Sequence, residues 1–270
     1  MQIAGQEVIE GVANGVPFVA LPPADRDAPA PLVVTWHMMS PPCTEQAMAA
    51  AVPMTGLQAW RVYLGMPMFS SRLPEGGIEE FFRLGTEDAV LNVYEPVTEQ
   101  AAAEFPGAVA ELRAKLSIAD GPVGVAGGSA GGEVALEVLT RAEVEIAAAA
   151  LVNPVTQLAP VVIANQRLYG MTYEWSDASR AVAEHFDYVR RAGEIRADLL
   201  MVIGEADDVA IREPAAALVA ALGEKAEQVV IPGMPHELAE APGLEPAPQT
   251  EHAVLVDAEL TKWFSQRLKV

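Results

Sequence analysis

Residues 123–132 read VGVAGGSAGG, a short apolar run that passes through paired glycines and one serine. The run Val123–Ala126 predicts a buried strand, and the pattern Glu133–Arg141 predicts a helix. Ser129 stands between them, with one glycine two residues before it and another two residues after it. A strand that turns sharply into a helix leaves no room for a side chain at either glycine position. The spacing therefore predicts that the Ser129 hydroxyl projects from a tight turn at the end of a strand.

A glycine-rich turn between a strand and a helix can also bind phosphate. A Walker loop needs a lysine followed by serine or threonine, and residues 123–132 contain no lysine. The dinucleotide spacing GxGxxG is absent from every register of this stretch. The sequence GGSAG at 127–131 instead matches GxSxG, in which the serine is a nucleophile. Short motifs also occur by chance, so this assignment depends on a base and an acid elsewhere in the chain.

A serine hydroxyl is a weak nucleophile and needs a base that is oriented by an acid. The chain has four histidines, at positions 37, 185, 236 and 252. His236 follows the predicted strand Gln228–Ile231, and loops after parallel strands are where catalytic groups collect. His236 is therefore the favoured base. His252, which begins the last predicted helix, is the second candidate.

The candidate acids follow the predicted strand Leu199–Ile203, in the stretch GEADDV at 204–209. Asp207 and Asp208 are adjacent, and adjacent residues project in different directions, so one of them orients the histidine. The other carboxylate is expected to cap local backbone amides. Glu205 is the next alternative.

Outside these stretches, short apolar runs alternate with helical patterns along the chain. Further strands are predicted at Val16–Ala20, Leu32–Trp36, Arg61–Leu64 and Ile146–Val152, and further helices after Thr44 and at Glu99–Leu116, Pro214–Leu222 and Ala253–Leu268. Apolar strands without alternation predict an α/β fold, in which a mostly parallel, doubly wound sheet is covered by helices on both faces. Pro106 predicts a break or a late start in the helix that contains it.

The aromatic-rich segment 157–194 lacks a clear strand and interrupts this rhythm. We expect it to form a small inserted helical cap, and we expect residues 1–156 and 195–270 to form the core. We expect an apolar substrate pocket whose possible walls are Met38, Met66, Tyr169 and Trp175.

Composition excludes several functional classes. The chain has 270 residues, 51% of them hydrophobic, and a formal net charge of −20. Such a charge repels nucleic acids and anionic membrane surfaces. The single cysteine offers neither a disulfide nor a zinc-ligand pattern. Without a basic and apolar leader or an apolar run of about 20 residues, we expect a cytoplasmic protein with no membrane partner.

Taken together, these residues resemble the α/β-hydrolase superfamily over nearly the whole chain. The resemblance is carried by WHMM at 36–39, GGSAGG at 127–132, GEADDV at 204–209 and PGMPHEL at 232–238. It implies a triad in the order Ser129, Asp207, His236. In this family the acid commonly lies three residues after such a glycine, which favours Asp207 over Asp208.

The resemblance also implies an oxyanion hole formed by the N–H groups of Met39 and Ala130. His37 would then be structural, and Met38 would occupy a position where the family usually has glycine, with its own N–H as an alternative donor. Because methionine allows less backbone freedom than glycine, this departure is expected to reshape the hole.

The expected activity is that of a serine hydrolase that cleaves a carboxylic ester of a small or medium-sized apolar substrate through an acyl-enzyme. No metal or cofactor is expected, and the expected partner is a small-molecule ester. Three alternatives use the same fold: a thioesterase, a peptidase, and a ligand-binding homologue without catalysis. Neither the natural substrate nor the oligomeric state follows from the sequence.

Overall fold

The computed structural model describes residues 2–268. The strands are β1 (Gln2–Ile3), β2 (Gln6–Glu7), β3 (Ile9–Ala13), β4 (Val16–Leu21), β5 (Leu32–Trp36), β6 (Trp60–Leu64), β7 (Val123–Gly128), β8 (Ile146–Val152), β9 (Asp198–Gly204) and β10 (Ala226–Ile231). The helices are α1 (Glu45–Ala51), α2 (Gly77–Ala89), α3 (Glu95–Lys115), α4 (Ala130–Arg141), α5 (Leu158–Tyr169), α6 (Asp177–His185), α7 (Val209–Leu222) and α8 (Glu251–Arg267). A π-helical turn, Val90–Tyr94, joins α2 to α3.

The main sheet has eight strands in the order β10-β9-β8-β7-β5-β6-β4-β3. Strands β6, β5, β7, β8, β9 and β10, which are adjacent in that order, run parallel to one another. Strand β4 is antiparallel to β6, and β3 is antiparallel to β4. The carboxyl ends of β5, β7, β8, β9 and β10 therefore meet at one edge of the sheet, where the loops that follow them come together.

Buried side chains cover both faces of this sheet. On β9, Leu199, Met201 and Ile203 belong to one core cluster, while Leu200 and Val202 belong to the other. Helices α3 and α4 pack on the first face, and α1 and α8 pack on the second. Such burial on both faces explains why the strands are apolar throughout rather than alternating. The structure thus confirms the α/β fold class with a mostly parallel, doubly wound sheet.

All the strands predicted from apolar runs are present, with ends that shift by at most two residues. The prediction for Pro106 was wrong, because α3 continues through it from Glu95 to Lys115. The buried face of α3, which includes Phe105 and Leu112, stabilises the helix against the loss of one backbone hydrogen bond. Helix α7 likewise starts before Pro214, at Val209.

The cap segment, residues 157–194, contains α5 and α6 and no strand of the main sheet. Its aromatic residues differ in their surroundings. Phe186 and Tyr188 are buried in the main core, whereas Tyr169 is 66% exposed. The division of the chain into a core and a separate cap stays a prediction. Across residues 2–268, no helix is both long enough and apolar enough to traverse a bilayer.

Candidate active site

Ser129 occupies a strained turn between β7 and α4. Its backbone has φ 50° and ψ −119°, in a region that residues with a side chain rarely adopt. A Cβ atom added to Gly127 would lie 2.1 Å from the carbonyl oxygen of Gly131, and one added to Gly131 would lie 2.2 Å from the carbonyl oxygen of His37. The two glycines therefore allow the helix to start directly against the ends of β7 and β5.

The side chains of Ser129, His236 and Asp207 form a continuous hydrogen-bonded relay. The Oγ atom of Ser129 lies 2.9 Å from Nε2 of His236, and Nδ1 of His236 lies 2.8 Å from Oδ2 of Asp207. A carboxylate accepts only, so Nδ1–H donates to Asp207 and Nε2 is left to accept the serine proton. This is the tautomer that a general base needs.

Burial differs along this relay. The Asp207 side chain is 2% exposed, while that of His236 is 22% exposed. The second carboxylate oxygen of Asp207 accepts the backbone N–H of Asp208 at 2.6 Å. The carboxylate is thus held in one orientation, and the histidine ring remains accessible to a substrate.

The acid loop after β9 and the histidine loop after β10 approach each other closely. A Cβ atom at Gly204 would lie 2.3 Å from the carbonyl oxygen of Met234, so only glycine fits there. The Ala206 N–H donates to the same carbonyl at 3.0 Å. These contacts fix the distance between the two loops that carry Asp207 and His236.

Asn153, which follows β8, is a positioning residue that was not predicted from the sequence patterns. Its Oδ1 accepts the Gly204 N–H at 2.7 Å, and its Nδ2 donates to the carbonyl oxygens of Pro235 and His236 at 3.0 and 3.1 Å. Asn153 is fully buried. Its hydrogen bonds connect the acid loop to the histidine loop. Its place directly after a parallel strand was the available signal.

The remaining candidates for base and acid lie outside the relay. Asp208 is the N-cap of α7, and its side chain accepts the Ala210 N–H at 2.8 Å. Glu205 accepts the Gly233 N–H at 3.0 Å, in the neighbouring loop. His252 begins α8 and lines a different depression, while His185 ends α6. Within residues 2–268, none of these side chains is hydrogen-bonded to the Ser129 side chain.

The predicted oxyanion donors have different surroundings. Among the hydrogen bonds within residues 2–268, none uses the N–H of Met39 or of Ala130. Ala130 is the first residue of α4, where the helix dipole adds positive potential. The alternative donor, the Met38 N–H, was a wrong prediction because it donates to the Pro42 carbonyl at 3.1 Å.

His37 is completely buried at the base of the loop that carries Met39. Its Nδ1–H donates to the Met38 carbonyl at 2.8 Å, and its Nε2 accepts the Met66 N–H at 3.1 Å. Burial lowers the pKa of His37 to about 4, against the hydrogen bond to Met38, which raises it. The ring is therefore neutral near pH 7 and holds the loop after β5 to the loop after β6.

A cavity of about 510 Å³ opens above the relay. Its walls come from the loop after β5, the π-helical turn, helix α5 and the acid and histidine loops. The residues that line it are Met39, Ser40, Pro41, Tyr94, Ser129, Val161, Ala164, Asn165, Leu168, Tyr169, Asp207, Asp208, Ala210, Ile211, His236 and Glu237.

Of the four side chains predicted to form pocket walls, Tyr169 lines this cavity and the other three do not. Met38 is fully buried and packs against Gly128, on the opposite face of the sheet from α4. Met66 is fully buried in the core around α3. Trp175 packs edge-on against Tyr173 with 4.9 Å between the ring centroids. The predictions for Met38, Met66 and Trp175 were wrong because these side chains fill the protein interior or the cap itself.

A second cluster of potential ligand atoms lies behind α4. Oxygen and nitrogen atoms of Glu99, Glu137 and His185 lie within 4.8 Å of one another. Arg141 and Arg191 already bind Glu137, at 3.0 and 2.9 Å. Because two guanidinium groups compensate the carboxylates, this cluster is an ion-pair network between α3, α4 and the cap segment rather than a metal centre.

Several solved structures have a similar fold, among them an esterase and a peptidase. TT1662 from Thermus thermophilus superposes with a TM-score of 0.65 at 17% identity, over 99% of this chain and 100% of that one. A cold-adapted esterase from an Arctic intertidal metagenomic library has a TM-score of 0.61 at 19% identity, over 100% of both chains. A puromycin-hydrolyzing peptidase from Mycobacterium tuberculosis has a TM-score of 0.64 at 19% identity, over 97% of this chain.

This chain spans 40% of the length of that peptidase. No curated protein matches the chain. The profile described as the prolyl oligopeptidase family, however, matches residues 92–269, which include Ser129, Asp207 and His236. The chain is therefore a serine hydrolase with the α/β-hydrolase fold and belongs to the prolyl oligopeptidase family.

Proposed function

We propose that this protein hydrolyses carboxylic esters of small or medium-sized substrates through an acyl-enzyme formed on Ser129. The observation that carries the proposal is the relay Ser129–His236–Asp207, with distances of 2.9 and 2.8 Å, at the base of an open cavity. Buried carboxylate, oriented imidazole and strained serine are the groups that acyl transfer requires. The reaction needs no cofactor.

In the first half-reaction, Ser129 Oγ attacks the carbonyl carbon of the ester and its proton passes to Nε2 of His236. The carbonyl oxygen becomes an oxyanion, which accepts hydrogen bonds from the N–H groups of Ala130 and Met39. Asp207 stabilises the imidazolium that has formed. The C–O bond to the alcohol then breaks, and His236 gives its proton to the leaving oxygen.

In the second half-reaction, water replaces the alcohol. His236 takes a proton from the water as its oxygen attacks the acyl carbon, and the same two N–H groups hold the oxyanion. The bond to Ser129 Oγ breaks, and the serine recovers its proton from His236. The carboxylic acid leaves, so one ester and one water give one acid and one alcohol.

Peptide hydrolysis is the second candidate, and the match to the prolyl oligopeptidase family favours it. The same steps apply with an amine as the leaving group, which then depends fully on protonation by His236. A p-nitrophenyl ester and a p-nitroanilide of one acyl group compare the two activities directly. Hydrolysis of the ester alone supports the first candidate, and comparable hydrolysis of the anilide supports the second.

A fluorophosphonate probe tests the nucleophile itself. We expect the probe to label the wild-type protein at Ser129, as located by peptide mass spectrometry, and to leave Ser129→Ala unlabelled. The same substitution should lower kcat for an activated ester by a factor on the order of 10⁶, because members of a triad act as a unit. An unlabelled wild type would refute the proposal in favour of a ligand-binding homologue. A folded Ser129→Ala variant that keeps a tenth of the activity would instead refute Ser129 as the nucleophile.

A further inference from the structure

Two polar side chains face the cavity from different segments and bind each other. Tyr94 ends the π-helical turn before α3, and Asn165 lies in α5. The Nδ2 atom of Asn165 donates to the Tyr94 hydroxyl oxygen at 3.2 Å. Both residues line the same cavity as Ser129.

This pair has unused hydrogen-bonding capacity. Within residues 2–268, no group accepts the Tyr94 hydroxyl proton and none donates to Oδ1 of Asn165. If the amide of Asn165 is turned over, the hydroxyl donates to Oδ1 and the Nδ2 group becomes the free donor. In either orientation the pair offers the cavity at least one donor and one acceptor.

The pair stands beside an apolar part of the cavity wall. The neighbouring cavity walls on α5 and α7 are apolar, formed by Val161, Leu168 and Ile211. Burial, together with the nearby Glu133, raises the pKa of Tyr94, so its hydroxyl remains a neutral donor. A bound molecule with a matching donor and acceptor can therefore form hydrogen bonds with the pair beside this apolar wall.

We propose that Tyr94 and Asn165 bind a neutral amide group of the substrate, close to the carbonyl that Ser129 attacks. An amide presents one N–H donor and one C=O acceptor, which match the pair in number and kind. A carboxylate would only accept and would face Asp208 and Glu237, while an ammonium group would only donate. The inference rests on the proposed function, and it narrows the substrate class.

Two kinds of substrate carry such an amide. One has it in the main chain, as in an N-acylated amino acid or a peptide. The other has a terminal carboxamide in its acyl group. Both kinds of substrate present the same amide group, so two matched pairs of p-nitrophenyl esters are needed to distinguish a main-chain amide from a terminal carboxamide. The first pair is N-acetylglycinate and pentanoate, which have equal chain lengths. The second is 6-amino-6-oxohexanoate and heptanoate.

The wild type is expected to hydrolyse the amide member of one pair with the higher kcat/KM, and the preferred pair identifies the source. Tyr94→Phe and Asn165→Leu should each lower kcat/KM for that amide ester by about three- to tenfold, as loss of one hydrogen bond does. The kcat/KM for the alkyl ester of the same pair should change by less than about twofold, because that ester has no amide group to form the hydrogen bond.

Tyr173→Phe is the matched control. The Tyr173 hydroxyl donates to Asp88 at 2.5 Å. Like the Tyr94–Asn165 hydrogen bond, this contact joins the cap segment to the segment before α3, but Tyr173 lies outside the cavity. This variant should keep the wild-type preference between amide and alkyl esters. If it loses the preference as Tyr94→Phe does, the effect comes from cap packing and the inference is wrong.

Fluorophosphonate labelling of Ser129, measured on every variant, separates this inference from the proposed function. An unlabelled wild type refutes the proposed function and the inference with it. Normal labelling without an amide preference in either pair refutes the amide inference alone. Normal labelling with an equal loss on the amide and alkyl esters in Tyr94→Phe also refutes it, because the pair would then serve the site in general.

Discussion

Asp207 and Asp208 are neighbours in the chain, but their carboxylates contact different groups. Asp207 binds Nδ1 of His236, whereas Asp208 binds the first turn of α7. Asp207→Asn would replace the acceptor at the ring nitrogen and favour the wrong tautomer, which in a comparable triad lowers kcat about 10⁴-fold. Asp208→Asn should lower it less than about tenfold, because asparagine caps helices as well as aspartate does.

Steady-state kinetics of both variants on one activated ester provide the measurement, with circular dichroism to verify folding. If Asp208→Asn is the crippled variant, the acid has been assigned to the wrong residue. If neither variant loses activity, Glu205 is the next carboxylate to replace.

His37 should make the stability of the fold depend on pH. Its pKa is about 4 in the folded protein and 6.5 as the ordinary value. Below pH 6.5 the unfolded chain takes up a proton that the folded protein does not, so stability is lost as the pH falls from 6.5 to about 4. A difference of this size corresponds to about 3 kcal/mol in the free energy of unfolding.

The test compares urea unfolding of the wild type and His37→Gln at several pH values. Acidic side chains titrate in both proteins, so their contribution cancels in the comparison. The difference between the two proteins in the slope of unfolding free energy against pH therefore reports on His37. We expect the wild type to lose more stability than the variant between pH 6.5 and pH 4. Parallel curves would contradict a buried neutral histidine.

Residues of the relay could be predicted from sequence because each of them lies in the turn or loop that follows a recognisable strand. Ser129, Asp207 and His236 are fixed by local turns at the same edge of the sheet. The pocket walls could not be predicted in this way. Whether Met66 or Tyr94 faces the cavity depends on packing between segments far apart in the chain. The apolar character of a residue does not distinguish these cases, because apolar side chains occur both in cores and in pockets.

At the level of elements, close contacts between backbones determine where the site residues stand. The start of α4 lies against the end of β5, with Gly131 next to the carbonyl oxygen of His37. A methyl group at Gly131 would overlap that oxygen, and rigid backbone cannot move aside as a flexible side chain can.

Gly131→Ala is therefore expected to lower the free energy of unfolding by about 1–3 kcal/mol and to displace Ser129 enough to lower kcat. Gly193→Ala is the matched control, because a Cβ atom there meets nothing within 4 Å and its backbone suits alanine. Chemical denaturation and ester kinetics of both variants are the measurements. A Gly131→Ala protein as stable and active as Gly193→Ala would show that the two elements are not in close contact.

Helices were harder to predict from sequence than strands. Parallel strands covered on both faces are short, apolar runs, which stand out in any sequence. Helix α2 has no fully buried residue, and although its apolar side chains follow helical spacing, it was not predicted. In α3 the opposite occurred, since tertiary packing retained a helix across Pro106 that local propensity disfavours.

On the scale of the whole molecule, charge is the dominant feature. The net charge of −20 is spread over a 270-residue chain. In the cavity the charged groups beside the relay are Asp208 and Glu237, and no lysine or arginine of the described residues lines it. The long-range field and the local lining therefore have the same sign.

This field should favour positively charged substrates through the rate of encounter. For two activated esters matched in size, one with a trimethylammonium group and one with a sulfonate, we expect kcat/KM to be about tenfold higher for the cationic ester at 0.01 M salt. The ratio should fall toward one as salt rises to 1 M, because the screening length shortens from about 30 Å to about 3 Å.

A neutral ester of the same size is the control, and its kcat/KM should vary little with salt. A cationic preference that persists at 1 M salt would indicate direct contact with Asp208 or Glu237, and the one of Asp208→Asn and Glu237→Gln that abolished it would identify which. A preference for the sulfonate ester would contradict steering by the acidic surface altogether.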